Sequence, residues 1–567
     1  MKSHLRFFGR SDANRSKTDG PGEASGRSSG RFRFRFEVLC LLFLAFHAIA
    51  TVASAAEPRK PNVVVILADD LGYGDVQAYN PQRGKTPTPH IDRLASQGMR
   101  FTDAHSSSGV CSPSRYALLT GRYHWRTSLQ TGIVGVWGKP LIAPGRLTIG
   151  SLAQSEGYRT ACIGKWHLGR DWPISNENRK YFTGFGPNFT GVTDAHRAAW
   201  AETFAKPIPG GPTTRGFDTY FGTDVPNWPP YCFIADDRAV GTPSELLPAA
   251  MLGNNQGSLP GPALPGWKFE PILPRLIDEA SRFVRGSVES KRPFLLYLPL
   301  TTPHTPLAVN EKWQGKSGLE NAAADLIMET DDAVGQILAT IAACGIENDT
   351  LVIFTSDNGF ARYVGAQDLE RRGHFPSGPL RGYKMDVYEG GHRVPFIVRW
   401  PGVVKPGTVS GQLVHHADLI ATLAEIWGRS LPDDAGEDSF SLMPLFEGRD
   451  TPVRRYAVSC ASTGIPGFRD GQWKLIPAPE GESARNSPVQ LYDLATDLGE
   501  TQNLAAQQPE RVEAMQAAFA KIIESGRSTP GADQKNDVEV IRYPRPRAVQ
   551  AKTKDGRPKS AAKRKSP

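Results

Sequence analysis

The 567-residue sequence predicts an α/β fold in which a large mixed, mostly parallel central sheet is flanked by helices and is followed by a smaller antiparallel sheet with one helix. Continuous apolar runs such as Val63–Ala68 suit strands that are buried on both faces of a parallel sheet. Stretches with a helical period, such as Thr148–Gly157 and Met328–Cys344, separate these runs. From about Tyr456 short strands alternate with glycine turns, which predicts the small sheet, and little compact structure is expected beyond about Ala532.

The first 56 residues have the pattern of a leader followed by a secretory signal. Basic residues precede the apolar run Val38–Ala50, and Ala53-Ser54-Ala55 is typical of a signal cleavage site, which places cleavage near Ala55 or Ala56. The apolar run is short and His47 interrupts it, so no stable membrane span is expected after cleavage. The sequence therefore predicts an exported protein, whether periplasmic, extracellular or lumenal.

The net charge of +8 comes from the two ends of the chain. Residues 1–56 supply +5 and residues 551–567 supply +6, which leaves about −3 for the body of the protein. A body with this charge does not resemble a nucleic-acid-binding surface, so nucleic acid is not expected as a partner. The basic tail, residues 531–567, is predicted to be disordered.

Four of the six cysteines lie far apart in the body of the chain, in addition to Cys111, which is considered below. They are Cys162, Cys232, Cys344 and Cys460. Their wide spacing does not suggest a zinc site. Two disulfides in an oxidising compartment and simple burial in the core are both compatible with these positions.

Two strands end in pairs of oxygen-bearing side chains. Asp69 and Asp70 follow the first strand, and Asp357 and Asn358 follow a second apolar run that begins at Thr350. Adjacent carboxylates at a buried strand end repel each other unless a cation is near, although a turn-forming Asp pair is the simpler alternative. Carboxylate and amide oxygens favour a hard cation, with Ca²⁺ as the first choice and Mg²⁺ as the second.

Cys111 lies in the segment Val110-Cys-Ser-Pro-Ser-Arg115, just ahead of a helix-compatible run. Pro113 suits a first-turn position, which places Cys111 at or just before the start of the helix. The free amides of a helix start favour anions, so the pKa of the Cys111 thiol is expected to be lowered. The alternative is that Cys111 is a small buried apolar residue.

Polar side chains that could act in a site recur at other strand ends. Lys165 and His167 follow the predicted strand Tyr158–Ile163, and His304 lies between two prolines after the strand Arg292–Leu300. Prolines on both sides hold the backbone of His304 rigid, which suits a positioned acid or base. Residues 170–270 form a Gly-, Pro- and Trp-rich insertion of the kind that builds substrate pockets. His90, His105, His415 and His416 are predicted to be structural.

Three motifs resemble those of one enzyme family. They are Cys111-Ser-Pro-Ser-Arg115 with Leu119-Thr-Gly-Arg122, Gly164-Lys-Trp-His-Leu-Gly169, and Lys384 with Tyr388-Glu-Gly-Gly391. Together they resemble the type I, formylglycine-dependent sulfatases of the arylsulfatase A and N-acetylgalactosamine-6-sulfatase type, within the alkaline-phosphatase-like superfamily. The resemblance covers about residues 61–526. It implies a catalytic domain over residues 57–455 and a small C-terminal subdomain over residues 456–530.

The resemblance also implies a cofactor, a modification and a set of site residues. A formylglycine-generating maturation enzyme would oxidise Cys111 to formylglycine. The implied calcium ligands are Asp69, Asp70, residue 111, Asp357 and Asn358. The residues implied to surround the sulfate are Arg115, Lys165, His167, His304 and Lys384. In the implied roles, Asp357 helps to deprotonate the nucleophile, His304 with Lys384 protonates the leaving alcohol, and His167 assists sulfate release.

The implied reaction is hydrolysis of a sulfate ester, with a sulfated carbohydrate or small molecule as substrate. A hydrated aldehyde has two hydroxyls, so one can attack sulfur and the other can lose its proton and expel sulfate by C–O cleavage. Metal, arginine and lysine offset the negative charge of the ester. Three alternatives stay open at this stage: a phosphate or phosphonate ester hydrolase on the same scaffold, a catalytically inactive binder of sulfated glycans, and a thiol nucleophile at unmodified Cys111.

Overall fold

The structure, a computed structural model, describes residues 60–186, 189–252, 257–478 and 488–541. The predicted leader and signal, and the tail beyond Ile541, lie outside the described residues. Within the described part, no helix has the length and apolar character needed to cross a bilayer.

The secondary structure alternates strands and helices through the first four-fifths of the described chain. The strands are β1 (Asn62–Ala68), β2 (Met99–Phe101), β3 (Ala104–His105), β4 (Arg159–Ile163), β5 (Thr219–Gly222), β6 (Ile234–Ala235), β7 (Arg238–Ala239), β8 (Glu245–Leu247), β9 (Gly261–Ala263), β10 (Phe294–Pro299), β11 (Thr350–Ser356), β12 (Phe396–Arg399), β13 (Thr408–Ser410), β14 (Val414–His415), β15 (Tyr456–Cys460), β16 (Pro466–Asp470), β17 (Trp473–Ile476) and β18 (Gln490–Asp493). The α-helices are α1 (Pro89–Gln97), α2 (Cys111–Thr120), α3 (Ile149–Ser155), α4 (Asp194–Phe204), α5 (Ile272–Glu289), α6 (Ala322–Ala343), α7 (Ala366–Arg371), α8 (Glu389–His392), α9 (Leu419–Ile426), α10 (Met443–Phe446) and α11 (Pro509–Glu524).

The central sheet has the strand order β13-β2-β12-β11-β1-β10-β4-β5-β6-β7. Its five middle strands, from β11 to β5, run parallel, and antiparallel strands adjoin them on both sides. The predicted mixed, mostly parallel sheet is therefore confirmed. Because the middle strands are parallel, their carboxyl ends meet along one edge, which is where open α/β sheets bind ligands.

Helices cover both faces of this sheet. On one face, α1, α5 and α6 contribute buried side chains such as Ile91, Leu276 and Ile327 to a core with alternate residues of β1. On the other face, α2, α3 and α9 contribute Leu119 and Ile420 among others. Side chains along β1 are almost completely buried, as the continuous apolar run predicts.

The small C-terminal sheet is antiparallel, in the order β15-β16-β17-β18, and α11 packs on it through Met515 and Phe519. The antiparallel sheet plus helix is confirmed. Strand β16 was not expected, because Pro466 and Gly467 interrupt its sequence pattern. Pairing with β15 on one side and β17 on the other nevertheless incorporates it into the sheet.

Two further boundaries differ from the sequence expectation. Helix α6 begins at Ala322 rather than near Met328, because the side chain of Asn321 accepts hydrogen bonds from the amides of Ala323 and Ala324 and caps an earlier start. The chain beyond Ala532 also makes specific contacts: Asp537 pairs with Arg122 at 3.0 Å. The expectation of little compact structure there does not hold as far as Ile541, because Asp537 is a second counterion for the buried Arg122, which also pairs with Glu437 at 3.0 Å.

The five cysteines in the described residues are all free. Cys162, Cys232 and Cys460 are buried, and Cys344 is partly buried. The alternative of two disulfides is therefore not seen among these residues, and burial in the core accounts for the first three.

Candidate active site

The predicted site residues converge at the carboxyl edge of the central sheet. Strands β1 and β11 pair in parallel with Ala68 opposite Ser356, so Asp69 and Asp357 follow matched positions. The backbone amide of Asp70 donates to Asp357 Oδ1 over 3.1 Å. The side-chain amide of Asn358 donates to Asp70 Oδ1 over 2.8 Å. The two strand ends, 288 positions apart in sequence, thus form one polar surface.

Cys111 is the first residue of α2 and its side chain is buried against this surface. Its Sγ lies 3.6 Å from Asp69 Oδ1 and 3.4 Å from Lys165 Nζ. The expected position at a helix start is correct, but the expected lowering of the thiol pKa is wrong. Burial raises the pKa of Cys111 to about 12 and outweighs the attraction of Lys165 and Lys384. The structure therefore gives unmodified Cys111 no activation as a thiolate nucleophile.

Three cations, each paired with a carboxylate, surround Cys111. Arg115 donates through Nε and Nη2 to Asp357 Oδ2, at 3.1 and 2.8 Å. Lys165 Nζ lies 3.0 and 2.8 Å from the two oxygens of Asp69. Lys384 Nζ lies 2.7 Å from Asp70. Lys165 and Arg115 are fully buried, so their charges act in a low-dielectric environment.

The two predicted histidines face the same space from different strands. His304 Nδ1 donates to the carbonyl of Thr305 over 2.7 Å, and its Nε2 lies 3.7 Å from Asp70 Oδ2. His167 Nε2 donates to the carbonyl of Val134 over 3.2 Å, and its Nδ1 has no hydrogen-bond partner. Burial and the nearby Lys384 lower the pKa of His304 to about 4. Burial and Lys165 lower the pKa of His167 as well, so both rings are neutral near pH 7 in the free protein.

The carboxylates differ in their protonation. Burial alone would raise the pKa of Asp69, but Lys165, His304 and Arg115 together hold it well below its usual value. Burial and the neighbouring Asp69 raise the pKa of Asp357 to about 6, against the attraction of Arg115. Perturbed carboxylates of this kind mark functional sites in clefts.

One group of side chains could hold a metal ion. One ligand atom from each of Asp69, Asp70, Cys111 and His304 lies within 4.8 Å of the others. The Oδ1 atom of Asn358 is buried without a hydrogen-bond partner, although its amide nitrogen is fixed by Asp70. An orphaned buried oxygen beside two carboxylates fits a hard cation, because a bound ion would supply the missing partner.

This possible ligand group differs in membership from the predicted set. Asp357 directs Oδ1 to the amide of Asp70 and Oδ2 to Arg115, and it joins the group only through these contacts. His304, which the sequence suggested as an acid or base, lies among the possible ligands instead. Its position between two prolines was the available signal, but that signal did not distinguish a ligand from a proton donor.

The site opens into a cavity of about 1470 Å³. Cys111, His167, His304 and Lys384 lie on its wall, together with residues of the Trp-rich insertion. Of the tryptophans in that insertion, Trp172, Trp200 and Trp267 are buried in the core, and only Trp228 lines the cavity. Its ring packs edge-on against His167, with centroids 5.2 Å apart. The insertion thus builds the pocket as expected, with one tryptophan on its wall.

A second buried group of charged residues lies away from the cavity, and it was not predicted as a group. We call it the sealed cluster; its members are Asp103, His105, Glu389, His392, Arg393, Arg469, Lys474 and Glu500. Lys474 Nζ lies 3.0 Å from Glu389 and 2.8 Å from Glu500. Asp103 pairs with His105, Arg393 and Arg469 at 2.8 to 3.1 Å. His105, Glu389 and His392 could geometrically hold a metal, but the ammonium of Lys474 already supplies the cation.

Comparisons with known proteins agree with this arrangement. The family model described as Sulfatase matches residues 61–428, and the model described as N-sulphoglucosamine sulphohydrolase, C-terminal, matches residues 383–527. An N-acetylgalactosamine-6-O-sulfatase of Bacteroides thetaiotaomicron is 34% identical over 485 residues, which cover 80% of this chain and 91% of that protein. Arylsulfatase A of Homo sapiens is 31% identical over 479 residues, which cover 80% and 85%.

A solved structure from a study of glycosaminoglycan metabolism by Bacteroides thetaiotaomicron superimposes with a TM-score of 0.69 at 30% identity. The match covers 82% of this chain and 99% of that one. The mixed sheet and its strand-end site therefore place the protein among the α/β ester hydrolases with the alkaline-phosphatase-like fold. Within that class the chain belongs to the sulfatase family. It is a sulfatase, an enzyme that hydrolyses sulfate esters.

Proposed function

We propose that this sulfatase acts on a sulfated carbohydrate, with residue 111 present as formylglycine and with calcium bound at the strand ends. The observation that supports the proposal most directly is the position of Cys111. Its Sγ lies 3.6 Å from Asp69, a carboxylate of the possible metal site, and 3.4 Å from the cation Lys165, on the wall of the large cavity. Any atom attached at this position meets both the metal site and the substrate space.

The site residues fit both calcium and formylglycine at position 111. Asp69, Asp70, Asn358 and residue 111 would hold the ion, because the Asn358 oxygen lacks a partner and the carboxylates lie beside it. A bound calcium ion would supply positive charge that offsets the charge of the ester, and formylglycine, as its hydrate, would supply a hydroxyl nucleophile. The raised pKa of the Cys111 thiol counts against the alternative of direct thiolate attack.

The cations of the chain position and neutralise the sulfate group. Arg115 and Lys165 are held rigidly by Asp357 and Asp69, so their charges need no rearrangement when the ester binds. Rigid charges in a buried site stabilise the developing negative charge more than mobile surface charges would.

Proton movements are assigned from the hydrogen bonds of the free protein. The proton for the leaving oxygen resides on Lys384 Nζ, because proximity to Asp70 raises the pKa of Lys384 against the opposing effect of burial. His304 Nε2 has no proton in the neutral ring, since Nδ1 donates to Thr305. His304 therefore orients the leaving group, and Lys384 is the donor. His167 Nδ1 has no hydrogen-bond partner and its ring lines the same cavity as residue 111, so we assign it as the proton acceptor.

The carbohydrate substrate is inferred from the similar N-acetylgalactosamine-6-O-sulfatase, together with a cavity large enough for more than one ring. Export through the N-terminal signal and a formylglycine-generating maturation enzyme complete the proposal. Both follow from the sequence motifs at residues 31–56 and 111–122.

The test is sulfate release from sulfated oligosaccharides, polysaccharides and a small aryl sulfate. The protein is coexpressed with a maturation enzyme, the mass of the peptide that carries residue 111 is measured, and each assay is run with and without Ca²⁺. We expect release that requires both calcium and residue 111, and Cys111→Ala is the matched control. If aldehyde-bearing protein hydrolyses phosphate or phosphonate esters but no sulfate ester, the proposal is wrong. Glycan binding without any turnover would favour the inactive-binder alternative.

A further inference from the structure

The rim of the cavity is unusually apolar. In the part of the chain that the structure describes, few large apolar side chains are exposed, and three of them line this cavity: Met251 (47% exposed), Tyr363 (54%) and Met385 (50%). Exposed apolar side chains grouped at one cavity mark a binding surface rather than chance exposure. They come from three separate segments: the insertion, the segment after β11 and the segment that carries Lys384.

Met385 is held at the rim at the expense of backbone strain. Its φ of 82° lies in the left-handed region, which is costly for a residue with a side chain. Its amide donates to the carbonyl of Gly109 over 2.8 Å, and its carbonyl accepts from the amide of Ser462 over 2.9 Å. These two bonds, one beside Cys111 and one from the C-terminal subdomain, fix the direction of the Met385 side chain.

The outer part of the cavity carries little charge, and the balance is negative. Apart from the site residues already described, the charged residues among the described lining are Lys268, Glu270 and Glu311, all exposed. A second anionic group on a substrate would therefore meet two carboxylates and one ammonium outside the sulfate-binding cations.

We infer that the outer cavity selects sulfate esters whose alcohol portion is uncharged and has an apolar ring face, which contacts Met251, Tyr363 and Met385. Glu270 and Glu311 disfavour esters that carry a second negative charge, such as a sulfated residue joined to a uronic acid. This inference rests on the proposed function, because it names the substrate class of the same site. The volume of about 1470 Å³ exceeds the usual range for small-ligand pockets, so a second neutral ring also fits.

The experiment compares esters that differ only in one charge. One pair is 4-carboxyphenyl sulfate and 4-carbamoylphenyl sulfate. The other pair is a uronic acid–N-acetylgalactosamine 6-sulfate disaccharide and the same disaccharide with its carboxyl group reduced to an alcohol. At low ionic strength we expect kcat/KM to favour the uncharged member of each pair that is turned over by about tenfold, and added salt to narrow the gap.

Variants locate the source of the preference. The double variant Glu270→Gln/Glu311→Gln should reduce the preference to about threefold or less, whereas Glu513→Gln, an exposed change on α11, should leave it intact. Equal kcat/KM within a pair, or preference for the charged ester, overturns the inference while the sulfatase function stands. Absence of sulfate release from all four esters by aldehyde-bearing protein overturns the proposed function and the inference together.

Three single variants test the contribution of the apolar side chains at the rim. Met251→Ala, Tyr363→Ala and Met385→Gly should each lower kcat/KM for the uncharged esters about fivefold to tenfold. Glycine is used at position 385 because it adopts the left-handed backbone without strain. Competitive inhibition by inorganic sulfate should not change, since that anion reaches only the cations near Cys111. A loss of sulfate inhibition in parallel with kcat/KM would mean that these side chains support the site structurally, and would contradict the inference.

Discussion

The cluster around Cys111 and the sealed cluster contain the same kinds of charged side chains in the same numbers. Around Cys111 there are three carboxylates, three cations and two histidines, namely Asp69, Asp70, Asp357, Arg115, Lys165, Lys384, His167 and His304. The sealed cluster also has three carboxylates, three cations and two histidines. Each includes a group that could geometrically bind a metal.

The difference lies in what each cluster leaves unsatisfied and in what it faces. The Cys111 cluster retains an unpartnered Asn358 oxygen and an unpartnered His167 nitrogen, and four of its residues or neighbours line the cavity. In the sealed cluster the buried oxygen without a hydrogen bond is Glu500 Oε1, but the ammonium of Lys474 lies 2.8 Å from it and 3.0 Å from Glu389. None of the eight members lines that cavity. Composition alone therefore does not identify a catalytic site. Orphaned polar atoms beside an open cavity do so, because they need an external partner.

The largest expected effect on activity comes from comparing the same Asp→Asn change in the two clusters. Asp70→Asn should lower kcat about a thousandfold, since it removes a possible metal ligand and the partner of Lys384. Asp103→Asn should leave the kcat of the folded protein within about threefold while reducing stability. For both variants, kcat is measured from sulfate release and stability is measured by urea unfolding. Similar losses of activity in the two would show that the clusters are not functionally distinct.

Removal of the cation from the sealed cluster should be the largest change in stability. Lys474→Met leaves Glu389 and Glu500 buried without their shared counterion, so the free energy of unfolding should fall by about 3–5 kcal/mol. Lys206→Met, which breaks an exposed pair with Glu202, is the control and should change stability by less than about 0.5 kcal/mol. Urea unfolding measures both. An unchanged unfolding free energy for Lys474→Met would refute the structural role.

Calcium should stabilise only through the Cys111 cluster. Ca²⁺ added to EDTA-treated protein at about 100 times its Kd should raise the free energy of unfolding by about 2.7 kcal/mol. Asn358→Ala removes the orphaned oxygen and should weaken this shift, whereas His392→Gln in the sealed cluster should not alter it. The midpoint of urea unfolding is recorded at several calcium concentrations. A shift that depends on His392 and not on Asn358 would mean that calcium binds in the sealed cluster, and it would contradict the prediction.

Acidification should destabilise the protein in part through the sealed cluster. Burial lowers the pKa of His105 and His392, against the attraction of Glu389 and Asp103. As the pH falls below about 6.5, the unfolded chain binds protons that the folded histidines do not, so stability decreases by up to about 1.4 kcal/mol per pH unit for each histidine. His392→Gln should show a smaller decrease between pH 7.5 and 5.5 in urea unfolding. If the stability of His392→Gln falls as much as that of the unmodified sequence, other groups cause the pH dependence.

Most residues of the Cys111 cluster were named from local signals. Asp69, Asp357 and His304 follow recognisable strands, and parallel pairing brings these strand ends together. Lys384 lies in a loop and was named only from its motif. The pKa shifts in this cluster were harder to predict from the sequence. A helix start predicts a lowered thiol pKa, but burial, which depends on every neighbour of Cys111, outweighs it.

The sealed cluster could not be predicted as a group, because its contacts join distant segments, and the motif that contains Glu389 does not indicate its partners. Asp103 and Arg469 are 366 positions apart, and each has the ordinary composition of a loop or strand. The same reason explains the unexpected contact between Arg122 and Asp537, which are 415 positions apart. Only pairwise information about the folded chain would reveal such contacts.

The bonds of Ser462 link the order of synthesis to the appearance of activity. Its amide donates to Met385, next to Lys384, and its carbonyl accepts from Gly132 on the cavity wall. A nascent chain that ends at residue 455 already contains Cys111 and the strand-end carboxylates, but the segment that presents Lys384 lacks its support from Ser462 and Lys474. A chain that ends at residue 455 is therefore expected to hold Lys384 less firmly, and we expect it to release sulfate more slowly than the full chain.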